Sequence, residues 1–175
     1  IIPVLNPTGW DVNRRQAENN IDLNRCFNLT DGALLEPIEA KIAGDWMIAN
    51  KDAYLYIDFH NLAYTQGGMS YYESPTLIGE AIYSSVIRNL SNRWKRDFIG
   101  YDNNNIEGFI ENSYAIAGMT HPYAFKAGIK NACLLEVSRT HPITVQQYAP
   151  EVIRAGVDLL ANYIFAYLKH YPVSQ

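Results

Sequence analysis

Two ionisable side chains lie in apolar segments of the kind that form buried strands. His60 follows the apolar run at residues 53–59, and Glu136 interrupts the run at residues 132–137. An imidazole at the end of a strand suits divalent-metal binding or general-base chemistry. A carboxylate inside an apolar strand is costly unless it is paired, bound to a metal or given a raised pKa. Two structural interpretations stay open, namely a hydrogen-bonded role for His60 and an ion pair between Glu136 and Arg139.

A polar segment near the start of the chain has the residue types that bind a carboxylate. The turn-forming residues 6–9 are followed by Arg14 and Arg15, and then by the sequence Asp-Leu-Asn-Arg at residues 22–25. The guanidinium group of arginine offers a fork of donors that matches a carboxylate. The segment therefore predicts a carboxylate-binding loop, with an ordinary solvated surface as the alternative.

Strands and helices alternate along the chain and would position these residues. The pattern predicts strands at residues 1–5, 53–59 and 132–137, helices at 36–48, 76–94 and 145–171, and loops at 14–28 and 102–112. The apolar stripe of the first helix consists of Ile38, Ile42, Ala43, Trp46 and Met47. Continuous apolar strands between helices predict an α/β fold, with a mixed, mostly parallel sheet flanked by helices. At 175 residues, the chain is predicted to be a single domain spanning residues 1–175.

The composition argues against several classes of function. The formal net charge is −4, and the lysines and arginines are dispersed, so no nucleic-acid partner is expected. No apolar run approaches the roughly 18 to 20 residues of a membrane span. Cys26 and Cys133 are too few for a disulfide framework, which predicts free thiols and favours a reducing compartment such as the cytoplasm.

Taken in order, these motifs resemble the zinc metallocarboxypeptidases related to carboxypeptidase A. That family has an Asn-Pro-x-Gly turn, an arginine, an Asp-x-Asn-Arg segment, a strand-end histidine and a late catalytic glutamate. Tyr114 lies 22 residues before Glu136, and Gly-Ile-Lys at residues 128–130 precedes the last strand as in the digestive members. The match runs over residues 6–136, about three quarters of the chain.

The resemblance implies a catalytic set. Glu136 matches the carboxylate that deprotonates the zinc-bound water, and His60 matches the third zinc ligand. Asp22 matches the carboxylate that orients another zinc-bound histidine. Arg15, in preference to Arg14, matches the arginine that stabilises the oxyanion.

The resemblance also implies a substrate-binding set. Asn24 and Arg25 match the pair that binds the terminal carboxylate of a peptide, and Tyr114 matches the mobile tyrosine that closes over the substrate. Seven residues after Tyr114, His121 occupies the place that lines the side-chain pocket in digestive members, although it also reads as a helix-start residue beside Pro122.

One departure from the family concerns the metal. The family takes two zinc ligands from a His-x-x-Glu segment upstream of the Asn-Pro turn, and this sequence has none there. Catalytic zinc needs about three protein ligands. We therefore expect this chain to be the C-terminal part of a longer enzyme, inactive alone, whose other zinc ligands precede residue 1. A degenerate relative without zinc is the alternative.

The resemblance implies a zinc-dependent hydrolase that removes C-terminal residues from peptides carrying a free carboxylate. Two alternatives stay open. One is a relative acting on cell-wall peptides or N-acyl amino acids, and the other is a non-catalytic module that binds carboxylates.

Overall fold

The described part of the chain contains both helices and strands, as the sequence predicts. The computed structural model describes residues 6–30, 35–62, 69–73, 105–106, 109–111, 118–138, 144 and 146–171. Its helices are α1 (Pro7–Asp11), α2 (Ile38–Ala49), α3 (Thr120–Lys126) and α4 (Pro150–His170), with 3-10 turns at Glu18–Asn20 and Leu23–Arg25. Its strands are β1 (Tyr56–Leu62), β2 (Met69–Glu73), β3 (Asn105–Ile106), β4 (Phe109–Glu111) and β5 (Ala132–Ser138). The predicted strand at residues 1–5 and helix at 76–94 lie outside the described residues.

The five strands form one mixed sheet in the order β1-β5-β2-β4-β3. Strand β2 is parallel to β4 and antiparallel to β5, where Ser70 pairs with Glu136, and β3 is antiparallel to β4. The predicted mixed α/β fold is confirmed. The prediction of a loop at residues 102–112 was partly wrong, because Phe109 and Ile110 supply β-forming residues for a short strand despite the surrounding asparagines.

The chain divides into two compact units. The first comprises residues 1–56, 74–76 and 115–132, and the second comprises residues 57–73, 77–114 and 133–175. The prediction of a single domain stays a prediction. In the first unit the core is a cluster of buried side chains: Phe27, Leu35, Ala40, Ala43, Met47, Ala124, Ile129 and Ala132. The partly buried ring of Tyr123 packs against Phe27 of this cluster, with ring centroids 5.7 Å apart.

The face that helix α2 turns to this core includes only Ala43 and Met47 of the five residues in the predicted apolar stripe. Its buried residues are Ala40, Ala43, Gly44 and Met47, whereas Ile38, Ile42 and Trp46 are exposed. A Cβ on Gly44 would lie 2.4 Å from the Leu35 side chain. The close approach of a neighbouring segment therefore selects the face with small residues over the face with the largest apolar residues.

The second unit contains most of the sheet and the long helix α4. The buried positions of α4 recur every three or four residues, as expected of an amphipathic helix: Val152, Ala155, Gly156, Leu159, Tyr163 and Tyr167. Gly156 lets this helix approach the sheet, because an added Cβ would lie 3.2 Å from Val137 on β5 and 3.4 Å from Phe59 on β1. The helix therefore packs against the two strands that carry His60 and Glu136. No helix in the described part of the chain is long and apolar enough to cross a membrane.

Candidate active site

His60 and Glu136 face each other from neighbouring strands. His60 lies on β1 and Glu136 on β5, and these two strands are adjacent in the sheet. The imidazole Nδ1 is 3.7 Å from Oε1 of Glu136, with 20% of the histidine side chain and 13% of the glutamate side chain exposed. This distance exceeds the range of a direct hydrogen bond. The arrangement leaves both groups half-buried and able to act on a common third atom.

The boundaries of β1 differ from the prediction. The predicted strand covered residues 53–59 and placed His60 in the following loop, whereas β1 runs from Tyr56 to Leu62 and includes His60. Tyr56 begins the strand by donating its backbone N–H to the carbonyl of Asn131, 2.9 Å away. His60 is thus held by the sheet rather than by a loop. The alternative partner of Glu136, Arg139, lies outside the described residues.

Asp58 is a member of this cluster that the sequence analysis did not single out. Its Oδ2 lies 2.9 Å from Nε2 of His60, and 17% of its side chain is exposed. Alternate residues of a strand project from the same face, so Asp58 and His60 are neighbours by construction. This i, i+2 spacing was the signal available in the sequence.

In the first unit, Asn6 and Gly9 form a clamp that fixes the backbone at Arg15. The Asn6 side chain accepts a hydrogen bond from the Gly9 N–H at 2.9 Å and donates one to the Arg15 carbonyl at 2.8 Å. The Arg14 N–H donates to the Gly9 carbonyl, also at 2.8 Å. A Cβ on Gly9 would lie 2.2 Å from Asn6 Nδ2, so the clamp requires glycine. The predicted turn at residues 6–9 is in fact the cap and first residues of α1.

Arg15 and Asp22 form an ion pair. Both Nε and Nη2 of Arg15 donate to Oδ2 of Asp22, at 3.0 and 2.8 Å. The other oxygen of Asp22 accepts the backbone N–H of Asn24 at 3.2 Å and caps the 3-10 turn Leu23–Arg25. The carboxylate that the resemblance assigns to orienting a histidine therefore also binds the predicted oxyanion arginine. Because 53% of the Arg15 side chain is exposed, this pair contributes little to stability.

Asn24 links the carboxylate-binding loop to helix α3. Its side chain is 8% exposed, and its Oδ1 accepts the backbone N–H of Thr120, the first residue of α3, at 3.0 Å. Helix starts leave N–H groups without helical partners, and here a side chain distant in sequence supplies one. Because the amide oxygen is used in this way, the NH2 group of Asn24 is the part that suits a bound carboxylate.

Arg25 and the neighbouring backbone are also held by contacts within this unit. The Arg25 guanidinium donates to the carbonyl of Asn24 at 2.7 Å. Gly118 packs against this backbone, since a Cβ there would lie 2.6 Å from the Arg25 carbonyl oxygen, and its φ is +89°. The adjacent Phe27 N–H donates to the Gly118 carbonyl at 3.1 Å. Gly118 therefore contacts the backbone on both sides of Cys26, at Arg25 and at Phe27.

Neither Cys26 nor Cys133 forms a disulfide, in agreement with the prediction. Cys133 is buried and Cys26 is half-buried. Burial raises the pKa of the Cys26 thiol, and the nearby negative charge of Asp22 raises it further. The thiol donates to the Asp22 carbonyl at 3.3 Å, so Cys26 has the protonated, structural character of a packing residue.

Of the other two predicted substrate-binding residues, the structure describes His121. His121 lies in the first turn of α3 and is fully buried, which agrees with the helix-start interpretation, while its role in a side-chain pocket stays a prediction. Tyr114 lies outside the described residues. Arg15, Asp22, Asn24 and His121 belong to the first unit, and His60 and Glu136 to the second. Their convergence on one cleft stays a prediction.

The metal-binding capacity can be judged from the donor atoms. Among the residues that the structure describes, no group of three His, Cys, Asp or Glu side chains is arranged to hold a metal ion. His60 offers one suitable nitrogen beside a carboxylate, which fits part of a zinc site. Catalytic zinc needs about three protein ligands, so these residues alone do not complete it.

The chain has a carboxypeptidase-like fold, which comparison with solved structures shows. A candidate metallopeptidase from Shewanella amazonensis SB2B aligns with a TM-score of 0.63 at 17% identity, over 93% of this chain and 61% of that one. Another from Shewanella baltica OS155 gives 0.61 at 16% identity, over 94% and 62%. The carboxypeptidase A of Helicoverpa armigera gives 0.59 at 17% identity, over 95% and 49%.

The chain therefore spans less than two thirds of each of these three proteins. The resemblance noted in the sequence is confirmed at the level of the fold. No family model and no curated protein matches the sequence.

Proposed function

We propose that this chain supplies the general base, one metal ligand and the carboxylate-binding loop of a zinc-dependent carboxypeptidase. The reaction is the removal of C-terminal residues from peptides. The observation that carries the proposal is the pairing of His60 and Glu136 on adjacent strands of a carboxypeptidase-like fold. An imidazole and a carboxylate held half-buried at 3.7 Å are placed to share a reacting water.

Zinc is the cofactor of the proposal, with His60 as one ligand and the other ligands predicted upstream of residue 1. When bound, zinc polarises a carbonyl and lowers the pKa of its water toward about 7. Glu136 then accepts the proton of the attacking water and returns it to the leaving amine. Its place inside β5 fixes the carboxylate direction, which general-base catalysis requires.

The loop of the first unit supplies the recognition chemistry of the proposal. Asn24 and Arg25 bind the terminal carboxylate through N–H donors, and the clamp at Asn6 and Gly9 holds the backbone of Arg15. Arg15 exchanges its partner Asp22 for the developing oxyanion, a contact worth about 3 to 4 kcal/mol in comparable sites. In the same proposal His121 lines the side-chain pocket and Tyr114 closes over the substrate.

The test uses the full-length gene product, a blocked dipeptide with a free C-terminus, and the same peptide amidated. The unmodified protein is expected to bind about one zinc per chain and to cleave only the free acid. Glu136→Gln should keep the metal and lose turnover by at least about a hundredfold, as expected for a general base. Glu151→Gln, the same chemical change at an exposed position of α4, serves as the matched control.

Two outcomes would contradict the proposal. Full activity in Glu136→Gln would show that another group is the base. Carboxylate binding without zinc or turnover would identify a non-catalytic module.

A panel of substrates that includes cell-wall peptides and N-acyl amino acids separates the carboxypeptidase from its hydrolase alternatives. The isolated 175-residue chain is expected to bind zinc poorly.

A further inference from the structure

Asp58, His60 and Glu136 form a line of three half-buried side chains in the second unit. The imidazole lies between the two carboxylates, with Nε2 2.9 Å from Asp58 and Nδ1 3.7 Å from Glu136. The imidazole is therefore closer to Asp58 than to Glu136. The distance to Asp58 is a hydrogen-bonding distance and the distance to Glu136 is not.

The geometry follows from the strand. Asp58 and His60 are separated by one residue on β1, so both project from the same face of the sheet. Phe59 between them projects from the opposite face, where its ring lies 3.4 Å from the position of a Cβ on Gly156. Since Phe59 is on the face of β1 that contacts α4, Asp58 and His60 lie on the face directed away from that helix.

A neutral imidazole carries one proton, and a hydrogen-bond acceptor at one nitrogen decides where that proton lies. A carboxylate is the strongest acceptor in this cluster, and the nearer of the two is Asp58. A neutral ring whose Nε2 donates to Asp58 keeps its lone pair on Nδ1, the nitrogen that faces Glu136. Carboxylates paired with ligating histidines in this manner also orient the ring.

We propose that Asp58 is a positioning residue that holds His60 in the Nε2–H form, so that Nδ1 is the nitrogen offered to a metal ion beside Glu136. The inference deepens the proposed function and rests on it for the metal. The tautomer itself is a property of the protein without metal. It can therefore be tested whether or not the proposed activity is found.

The first measurement is the 15N chemical shift of the two His60 ring nitrogens in the full-length protein, stripped of metal, at a pH where the ring carries one proton. The Nε2–H form is expected to predominate. Asp58→Ala should raise the population of the Nδ1–H form, because Glu136 is then the only one of the two carboxylates left beside the ring. Glu136→Gln is the matched control and should leave the Nε2–H form in place.

A second variant guards against misfolding. Asp58→Asn has the same shape, and its amide oxygen still accepts the proton without the negative charge, so it should partly restore the Nε2–H form relative to Asp58→Ala. Backbone amide spectra of each variant report whether the sheet is intact. A predominant Nδ1–H form in the unmodified protein would overturn the inference, as would an unchanged tautomer ratio in both Asp58 variants.

The second measurement is zinc affinity by competition with a chelating dye. Asp58→Ala should weaken zinc binding by about 10- to 100-fold, with Asp58→Asn in between. If the full-length protein binds no zinc, the proposed function fails and the tautomer result still stands. If zinc binds tightly and Asp58→Ala leaves the affinity unchanged, the positioning role is wrong while the proposed function survives.

Discussion

The hydrogen bond between Asn24 and Thr120 suggests two substitutions of Asn24. One is expected to lower stability, and the other to weaken substrate binding while stability is kept. Asn24→Ala removes the acceptor of the Thr120 N–H, a buried bond of 3.0 Å at the start of α3. Leaving a buried N–H without an acceptor costs about 1 to 3 kcal/mol. For a chain of this size, a loss of about 2 kcal/mol corresponds to a fall in Tm of about 4 to 8 °C.

Asn24→Asp separates stability from substrate binding. Its carboxylate still accepts the Thr120 N–H, and a negative charge at a helix start is favourable, so stability should stay within about 1 kcal/mol of the unmodified protein. The substitution removes the NH2 donor and places a negative charge where the substrate carboxylate binds. A charged hydrogen bond is worth about 1.5 to 3 kcal/mol, so KM should rise by at least about tenfold.

Thermal unfolding followed by circular dichroism gives the Tm of each variant. Steady-state kinetics with a free-acid peptide give its KM. Equal Tm values for Asn24→Ala and the unmodified protein would show that the bond to Thr120 does not stabilise α3. An unchanged KM in Asn24→Asp, with stability intact, would remove Asn24 from the substrate site. The first result concerns the fold alone, and the second also tests the proposed function.

Three further predictions concern the same unit. Arg25→Ala should raise KM for free-acid peptides with little change in kcat, and an unchanged KM would exclude Arg25 from docking. Gly118→Ala should lower the free energy of unfolding by at least about 2 kcal/mol, because its φ of +89° and its contact with the Arg25 backbone suit only glycine. The raised pKa of Cys26 predicts slow alkylation near neutral pH that accelerates as the pH rises; rapid labelling at pH 7 would contradict it.

The fold class could be predicted because its signals are local. The apolar run at residues 132–137 appears as β5 (Ala132–Ser138), and the helical pattern at residues 36–48 appears as α2 (Ile38–Ala49). Periodicity also identified α4, although its start at Pro150 lies five residues after the predicted one. Strand and helix patterns depend on nearest neighbours in sequence, which a single chain displays directly.

The buried face of α2 could not be predicted in the same way. Periodicity placed Ile38, Ile42 and Trp46 on one stripe with Ala43 and Met47. The helix buries Ala43 and Met47 together with Ala40 and Gly44, and leaves the other three exposed. The deciding factor is how closely Leu35 and Tyr123 approach the helix. How closely these two side chains approach α2 depends on tertiary packing, which the spacing of apolar residues along one helix does not indicate.

In the candidate site, too, some residues could be predicted from local sequence, whereas others depend on tertiary contacts. Glu136 was conspicuous as an ionisable residue within an apolar run, and His60 as one at the end of such a run. Asp58 also lies within the run at residues 53–59, but its role became clear only from its distance to His60. The sharing of Asp22 between Arg15 and the Asn24 N–H depends on how the loop folds back on itself, which composition does not reveal.

The clamp at Asn6 and Gly9 has a practical consequence for engineering. Its hydrogen bonds join Asn6 to Gly9 and Arg15, on either side of residues 10–13. Trp10 and Val12 in this segment are 74% and 61% exposed. A fluorophore or affinity tag attached between Trp10 and Val12 is therefore expected to project into solvent, while Arg15 keeps its hydrogen bond to Asn6.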